Sequence, residues 1–342
     1  MAQINKSSDY FNTVLYTGNG TADRTVTGVG FQPQLLWIKE RSNVSTHSLT
    51  DIVRGASKRL QCATTDAEFD TGTDNVKSFD SDGFTLGTGG QVNENTQTYV
   101  SWNWLANGTG ASNTDGSITS TVSANTTSGF SIVSWTGNGT SGATIGHGIS
   151  TPDVIIAKSR SGSHNWYVYH KSNGVGYGKL NLTDAFNSAT DVFTVAPTSS
   201  VFTISADTSI NNSGDNFIAY CFAEKKGFSK AFSYTGNGST DGSFCYLGMK
   251  PKFIMIKRTD STGDWVIYDG VKEPYNVIDT YLEANSSNAD TTLSVRELDI
   301  LSNGFKVRGT NTSINASGGS YIGIAFAESP LVGTNNTPAV AR

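Results

Sequence analysis

The stretch Tyr16–Gly20 reads YTGNG, and it returns as WTGNG at Trp135–Gly139 and as YTGNG at Tyr234–Gly238. Aligned on that word, the chain is one unit written three times. Internal repetition is the first thing to establish, because it sets how every other motif is read. In each copy a Pro-led apolar run ending in Lys follows: PQLLWIK at Pro33–Lys39, PDVIIAK at Pro152–Lys158 and PKFIMIK at Pro251–Lys257. Such near-continuous apolar runs are expected of strands covered on both faces. Next come HSLTD at His47–Asp51, WYVYH at Trp166–His170 and WVIYD at Trp265–Asp269. A turn and strand then recur as DGFTLG at Asp82–Gly87, SVFTIS at Ser200–Ser205 and NGFKVRG at Asn303–Gly309.

Each copy closes on a strand: YVSWNWL at Tyr99–Leu105, FIAYCFA at Phe217–Ala223 and YIGIAFA at Tyr321–Ala327. Successive side chains of a strand point to opposite faces. One face is bulky in all three copies: Val100, Trp102 and Trp104; Ile218, Tyr220 and Phe222; Ile322, Ile324 and Phe326. The other carries Ser101 and Asn103, Ala219 and Cys221, Gly323 and Ala325. The bulky face is expected to fill a core. The small one must lie close against something or face outward.

The 342 residues include only 15% charged side chains and 11% aromatics, with 37 glycines, a balance opposite to that of a disordered chain. Short strands with frequent turn signals and no helical period predict an all-β fold of three tandem antiparallel β-sandwich domains. Their bounds are 1–108, 109–227 (a linker plus the second module) and 228–342 with a short C-terminal tail. Asn107–Gly129 reads as the linker, its second half Ile118–Ser123 as the opening strand of copy two. Copies two and three, joined only through Lys225–Lys230, are expected to pack as the stiffer pair. The Gly-rich words are not phosphate loops, since strands and not helices follow them. In the Asn-Gly of each repeated word the sequence predicts a hairpin-type reversal, with the preceding aromatic pointing inward.

A net charge of −5 argues against nucleic acid as a partner. No run approaches a membrane span and the N-terminus lacks a signal peptide's apolar core, so synthesis in a cytoplasm is expected. Cys62, Cys221 and Cys245 are odd in number and widely spaced, which predicts neither disulfides nor zinc. The four histidines form no metal motif, and no cofactor is implied. Glu224 and Glu328 follow the closing strand in FAE, where copy one has Ala106, so a carboxylate pair for glycoside hydrolysis is not indicated. Sugar recognition draws on aromatic faces flanked by hydrogen-bonding side chains. The candidates for a glycan are His164, Trp166 and His170; Asp264, Trp265 and Asp269; and, in copy one, His47, Asp51 and Arg54. Lys39, Lys158 and Lys257 are expected to be strand-end residues with stems laid over apolar surface.

The words YFNTVLYTGNG (Tyr10–Gly20), GVGFQPQLLWIKER (Gly28–Arg41) and GFSIVSWTGNGTSGATIGHGI (Gly129–Ile149) belong with ILSNGFKV (Ile300–Val307) and SYIGIAFAESP (Ser320–Pro330). Together they resemble a family of tandem β-sandwich modules, similar to the concanavalin-like jelly roll, found in virion proteins of tailed bacteriophages, many of them marine. The resemblance runs from residue 8 to residue 332. It implies a non-enzymatic virion surface protein of tail-fibre or receptor-binding type, attaching to host-surface glycan and assembled in the host cytoplasm. It also implies other virion proteins as partners and, by analogy, a homotrimer. The chain begins directly in the first module, which leaves room for a head-decoration protein that stabilises the capsid. A polysaccharide-degrading enzyme is the least favoured class.

Overall fold

In the computed structural model, residues 4–333, 338 and 339 are described. Short runs rich in Val, Ile, Thr and aromatics, cut by Gly, Asn and Ser, give antiparallel strands throughout. Among the described residues, α-helix is confined to the single turns Gly90–Asn93, Thr208–Asn211 and Thr312–Asn315. None is long or apolar enough to cross a membrane.

The three copies build the same pair of sheets. In the first, the larger sheet runs in spatial order Phe11–Thr17, Thr98–Trp104, Leu35–Glu40, Ser48–Asp51. The smaller runs Arg24–Thr27, Gly83–Leu86, Val76–Asp80. In the second, Phe130–Thr136, Asn216–Phe222, Val154–Ser159, Tyr167–His170 and Gly174–Lys179 repeat the larger sheet, and Ala143–Gly146, Val201–Ile204, Phe193–Val195 the smaller. In the third, Ser229–Thr235, Ser320–Pro330, Met249–Arg258, Trp265–Asp269 and Thr280–Glu283 are followed by Phe244–Tyr246, Gly304–Val307, Leu298–Leu301. The register repeats too. Tyr16 faces Tyr99, Trp135 faces Phe217 and Tyr234 faces Tyr321. These pairs stack at centroid separations of 5.1, 5.4 and 4.9 Å. Each ring of the first column also meets Phe84, Phe202 or Phe305 of the smaller sheet edge-on. The aromatic of the repeated word therefore points inward, as expected, and pins the two sheets together.

The two faces of the closing strand have different destinations. The small face, with Ala219 and Cys221 or Ala325 and Ala327, lies in the sandwich-like core of its own copy. The bulky face lies in a core common to all three. Trp102 and Trp104 of copy one, Tyr220 and Phe222 of copy two, and Ile324 and Phe326 of copy three share one buried cluster with Trp37, Ile156 and Met255. Phe11 and Phe326 stack at 4.9 Å, Trp104 meets Phe222 at 6.2 Å, and Phe222 meets Phe326 at 5.6 Å. The copies are thus not beads on a string, and the shared core joins copy one to the other two as well as copies two and three to each other. The expected linker is structured as well: Ala111–Asn113 pairs with Ser120–Asn125, which continues the larger sheet of copy two. Pro33 and Pro152 precede their strands, whereas Pro251 lies inside one, at a register shift that accommodates its missing N–H.

The repeated word is not a hairpin. It carries the chain from the larger sheet to the smaller one, and only its last glycine takes positive φ: +67° at Gly20, +70° at Gly139 and +69° at Gly238. A buried Asn from the helical turn holds it. Asn211 Oδ1 accepts from the Asn138 N–H at 3.0 Å, and its Nδ2 donates to Thr140 O at 2.9 Å and Ser205 O at 3.0 Å. Asn93 and Asn315 do the same for Asn19 and Asn237. The first glycine is required by proximity: a Cβ on Gly137 would lie 2.3 Å from Asn212 O. Asn211→Ala should lower stability by about 2–3 kcal/mol, read as a shift in urea midpoint, because it strands buried polar partners. Gly139→Val should cost about 1–2 kcal/mol through its left-handed backbone. Unchanged midpoints would contradict this account of the word.

Candidate functional site

The residues that the sequence singles out for a glycan lie where the copies meet. Trp166 and Trp265, with His47 in their place in copy one, form one column. Trp166 Nε1 donates to Gln61 O of copy one at 2.9 Å, and Trp265 Nε1 to Lys179 O of copy two at 2.8 Å. His47 Nδ1 accepts from Trp37 Nε1 at 2.8 Å, leaving its Nε2–H to donate to Glu283 O of copy three at 3.0 Å. Contact therefore passes from copy one to three, from three to two and from two to one.

A second column runs the opposite way. Asp51 Oδ2 accepts from Tyr220 of copy two at 2.9 Å. His170 Nε2–H donates to Gly323 O of copy three at 3.0 Å. Asp269 Oδ2 accepts from Trp102 Nε1 and Thr13 Oγ1 of copy one, both at 2.7 Å. Main-chain bonds repeat the cycle: Asp290 N to Arg41 O, Glu68 N to Arg160 O and Phe186 N to Thr259 O, at 2.8 to 3.0 Å.

His47, Asp51, Arg54, Trp166, His170, Trp265 and Asp269 are consequently buried, and no surface glycan reaches them in this fold. Arg54 is held between Asp51 Oδ2 at 2.5 Å and Glu68 Oε2 at 3.0 Å. His164 and Asp264 are half-buried. Asp264 takes Arg296 Nη2 at 2.7 Å, while Arg296 Nη1 binds Glu283 at 2.5 Å and its guanidinium stacks on Tyr281. The physical reason is the shared core. A strand whose far face meets another copy needs its polar side chains as cross-seam partners.

The recurring lysines depart further from expectation. Lys39, Lys158 and Lys257 are fully buried, not strand-end residues at a surface. Lys158 Nζ donates to Thr65 O of copy one at 3.2 Å and to Ser159 O at 2.9 Å, and Lys257 Nζ to Thr183 O of copy two at 3.0 Å and to Gly263 O at 2.7 Å. Burial lowers all three amines to about 8, opposed for Lys158 by Asp66 and for Lys257 by Asp264 and Asp184. Cys62, Cys221 and Cys245 are buried free thiols, raised by burial. Glu224 accepts the Ala231 N–H at 2.9 Å and binds Lys171 at 2.6 Å, while Glu328 pairs with Lys250 at 3.0 Å. No group of three or more His, Cys, Asp or Glu among the described residues is placed to hold a metal.

The outer surface is where the copies differ. Phe244 and Tyr246 point outward from the edge strand of the third small sheet, 46% and 58% exposed. Register places Thr25 and Thr27, or Thr144 and Gly146, at those positions in the other copies. Beside Tyr246 a groove of about 640 Å³ is lined by Glu224, Lys226, Lys230, Gly248, Leu331 and Val332. Neither aromatic belongs to a word repeated in the other copies, so the sequence pattern does not single them out.

Three sheet pairs closed in a ring about one core define an internally repeated, β-sandwich-like all-β protein. The chain belongs to the family described as Domain of unknown function (DUF7483), whose model matches residues 6–330. No curated protein and no solved structure matches it.

The buried histidines give a pH prediction. His47, His147 and His170 each accept an N–H at Nδ1 and donate from Nε2, so a second proton has no acceptor. Burial lowers His47 to about 3 and His170 to about 4; Lys39 and Lys272 add to the first shift and Lys171 to the second, with Asp153 opposing. A folded pKa below the unfolded value of about 6.5 means stability present above that pH and lost as pH falls toward the folded value. For His170 alone the loss by pH 4 is about 3 kcal/mol. The denaturant midpoint should fall steeply from pH 6.5 to 5, and less so in His170→Gln. A flat profile would contradict the buried neutral tautomers.

Proposed function

We propose that the protein is a non-enzymatic surface component of a bacteriophage particle, of tail-fibre or receptor-binding type, which attaches to the host through surface glycan. In this reading the chain is three jelly-roll-like β-sandwich modules, 1–108, 109–227 and 228–342. One observation carries it. The chemistry that recurs in all copies is consumed in seams between them, while what distinguishes the copies lies outside, at the exposed aromatic edge of copy three. A protein whose polar repeats serve assembly and whose outer surface varies is suited to display and adhesion. Its sequence resemblance to phage virion modules points the same way, and fold alone does not assign function. The ring of copies supplies within one chain what a fibre homotrimer supplies with three. The protein should therefore run as a 36.3 kDa monomer in light scattering. A stable trimer would contradict that part.

Decoration of the capsid is a second reading, favoured by the cyclic arrangement of copies, which suits a threefold position on a shell. Antibody labelling of intact particles separates the two. Label at the tail, with purified protein adhering to host cells and displaced by host polysaccharide, is the expected result. Label spread over the head would favour decoration. Unlabelled particles would overturn both.

A further inference from the structure

We infer that the groove beside Tyr246 is a subsite for an anionic polysaccharide; the inference rests on the attachment reading above. Carbohydrate recognition needs an accessible aromatic face, nearby charged or polar groups in fixed positions, and room for a chain that enters and leaves. The groove has all three. Its walls come from the connection between copies two and three, from the edge strand of the third small sheet, and from the end of the closing strand.

Tyr246 supplies the aromatic face. Its ring rests against Gly248, where a Cβ would stand 3.5 Å from the tyrosine oxygen, and Gly248 takes φ +71°. The ring thus stands beside Gly248, where a side chain would crowd it, while more than half of the residue stays exposed. Leu247, next in sequence and 4% exposed, roots the strand in the core of copy three. The platform therefore stands on a strand whose next residue is anchored in the core.

Charge selects the ligand class. Glu224 is fixed by the Ala231 N–H and bridges Lys171 at 2.6 Å and Lys230 at 3.1 Å. Lys171 also meets Asp153 at 3.0 Å. On the groove wall itself Lys226 and Lys230 stand with Glu224, on a chain whose net charge is −5. A locally cationic groove on an acidic protein repels neither a uronate nor a sulfated sugar, and it concentrates such a chain from solution. The corresponding edge positions in copies one and two, Thr27 and Gly146, offer no ring, so a single subsite per chain is expected.

The test uses the full chain and defined polymers: alginate and polygalacturonate as polyuronates, dextran as the neutral control, measured by titration calorimetry at low and raised salt. The polyuronates are expected to bind, dextran not to, and affinity to fall with salt. Tyr246→Ala should weaken binding roughly tenfold or more, Tyr246→Phe should retain it, and K226Q/K230Q should weaken it. Tyr275→Ala, at a residue 78% exposed elsewhere in copy three, should leave it unchanged. Unfolding midpoints of the variants serve as the check on folding. Polyuronate binding indifferent to Tyr246→Ala would overturn this subsite and leave the attachment reading standing. Failure of the wild type to bind any polymer or host cells would overturn both. Equal binding to dextran would overturn the selection by charge. Loss of a particle protein partner in Tyr246→Ala, with polyuronate binding intact, would make the groove a peptide-docking site and overturn the subsite.

Discussion

The bulky face of the closing strand, carried three times, is buried against its own copies. In a single sandwich a large sheet has one face on its partner sheet and one toward water, and its outward residues can be polar. Here the outward face bears Trp102 and Trp104, Tyr220 and Phe222, Ile324 and Phe326. Exposed, those faces would make apolar patches of the kind that drive association. The chain resolves this internally by closing three such faces around one core. The Pro-led strands beside them follow suit, with Trp37, Ile156 and Met255 in the same cluster. The sheet order, the inward aromatic of the repeated word and the small residues on the opposite face are all consequences of a sheet that must be covered on both sides.

Polar groups in the seams decide how the copies are oriented. Apolar faces alone would tolerate rotation and sliding. Ring N–H groups aimed at single carbonyls, carboxylates bridged by Tyr220 or Trp102, and ammonium groups seated against main-chain oxygens do not. Each would be costly left unpaired in a low-dielectric interior, so each penalises a misdocked arrangement. The ion cluster of Asp51, Arg54, Glu68 and Arg160 joins copies one and two; Arg41 with Asp290 occupies the matching place between copies one and three. Copy three has Thr259 there instead, and that seam combines the Phe186 N–H to Thr259 O bond with packing of the Phe186 ring on Trp265 at 6.0 Å.

Much of the fold was legible. Period-2 alternation revealed the strands, the repeated word gave the copy number of the unit, and the bulky face of the closing strand pointed to a core. What that core was made of could not be read, because a strand pattern says that a face is covered and not by what. The same ambiguity misled the choice of site. An aromatic, histidine or aspartate recurring at one strand position is what a ligand site looks like, and also what a repeated seam looks like. Lys39, Lys158 and Lys257 were placed at the surface on the average behaviour of lysine, which fails where carbonyls from a neighbouring copy converge. Asn93, Asn211 and Asn315 escaped notice, although TSIN is spelled identically at Thr208–Asn211 and Thr312–Asn315 and an Asn recurs at equal distance before each closing strand. The exposed pair Phe244 and Tyr246 was the reverse case, outward residues that composition alone would place inside.

The shared core makes the three copies one cooperative unit. Calorimetric unfolding of the full chain tests it most directly, by comparing the measured enthalpy with the van't Hoff enthalpy of the transition. A single transition in which the two agree is expected. Three separable transitions, each with the enthalpy expected of one copy, would show that the copies fold independently and would contradict it.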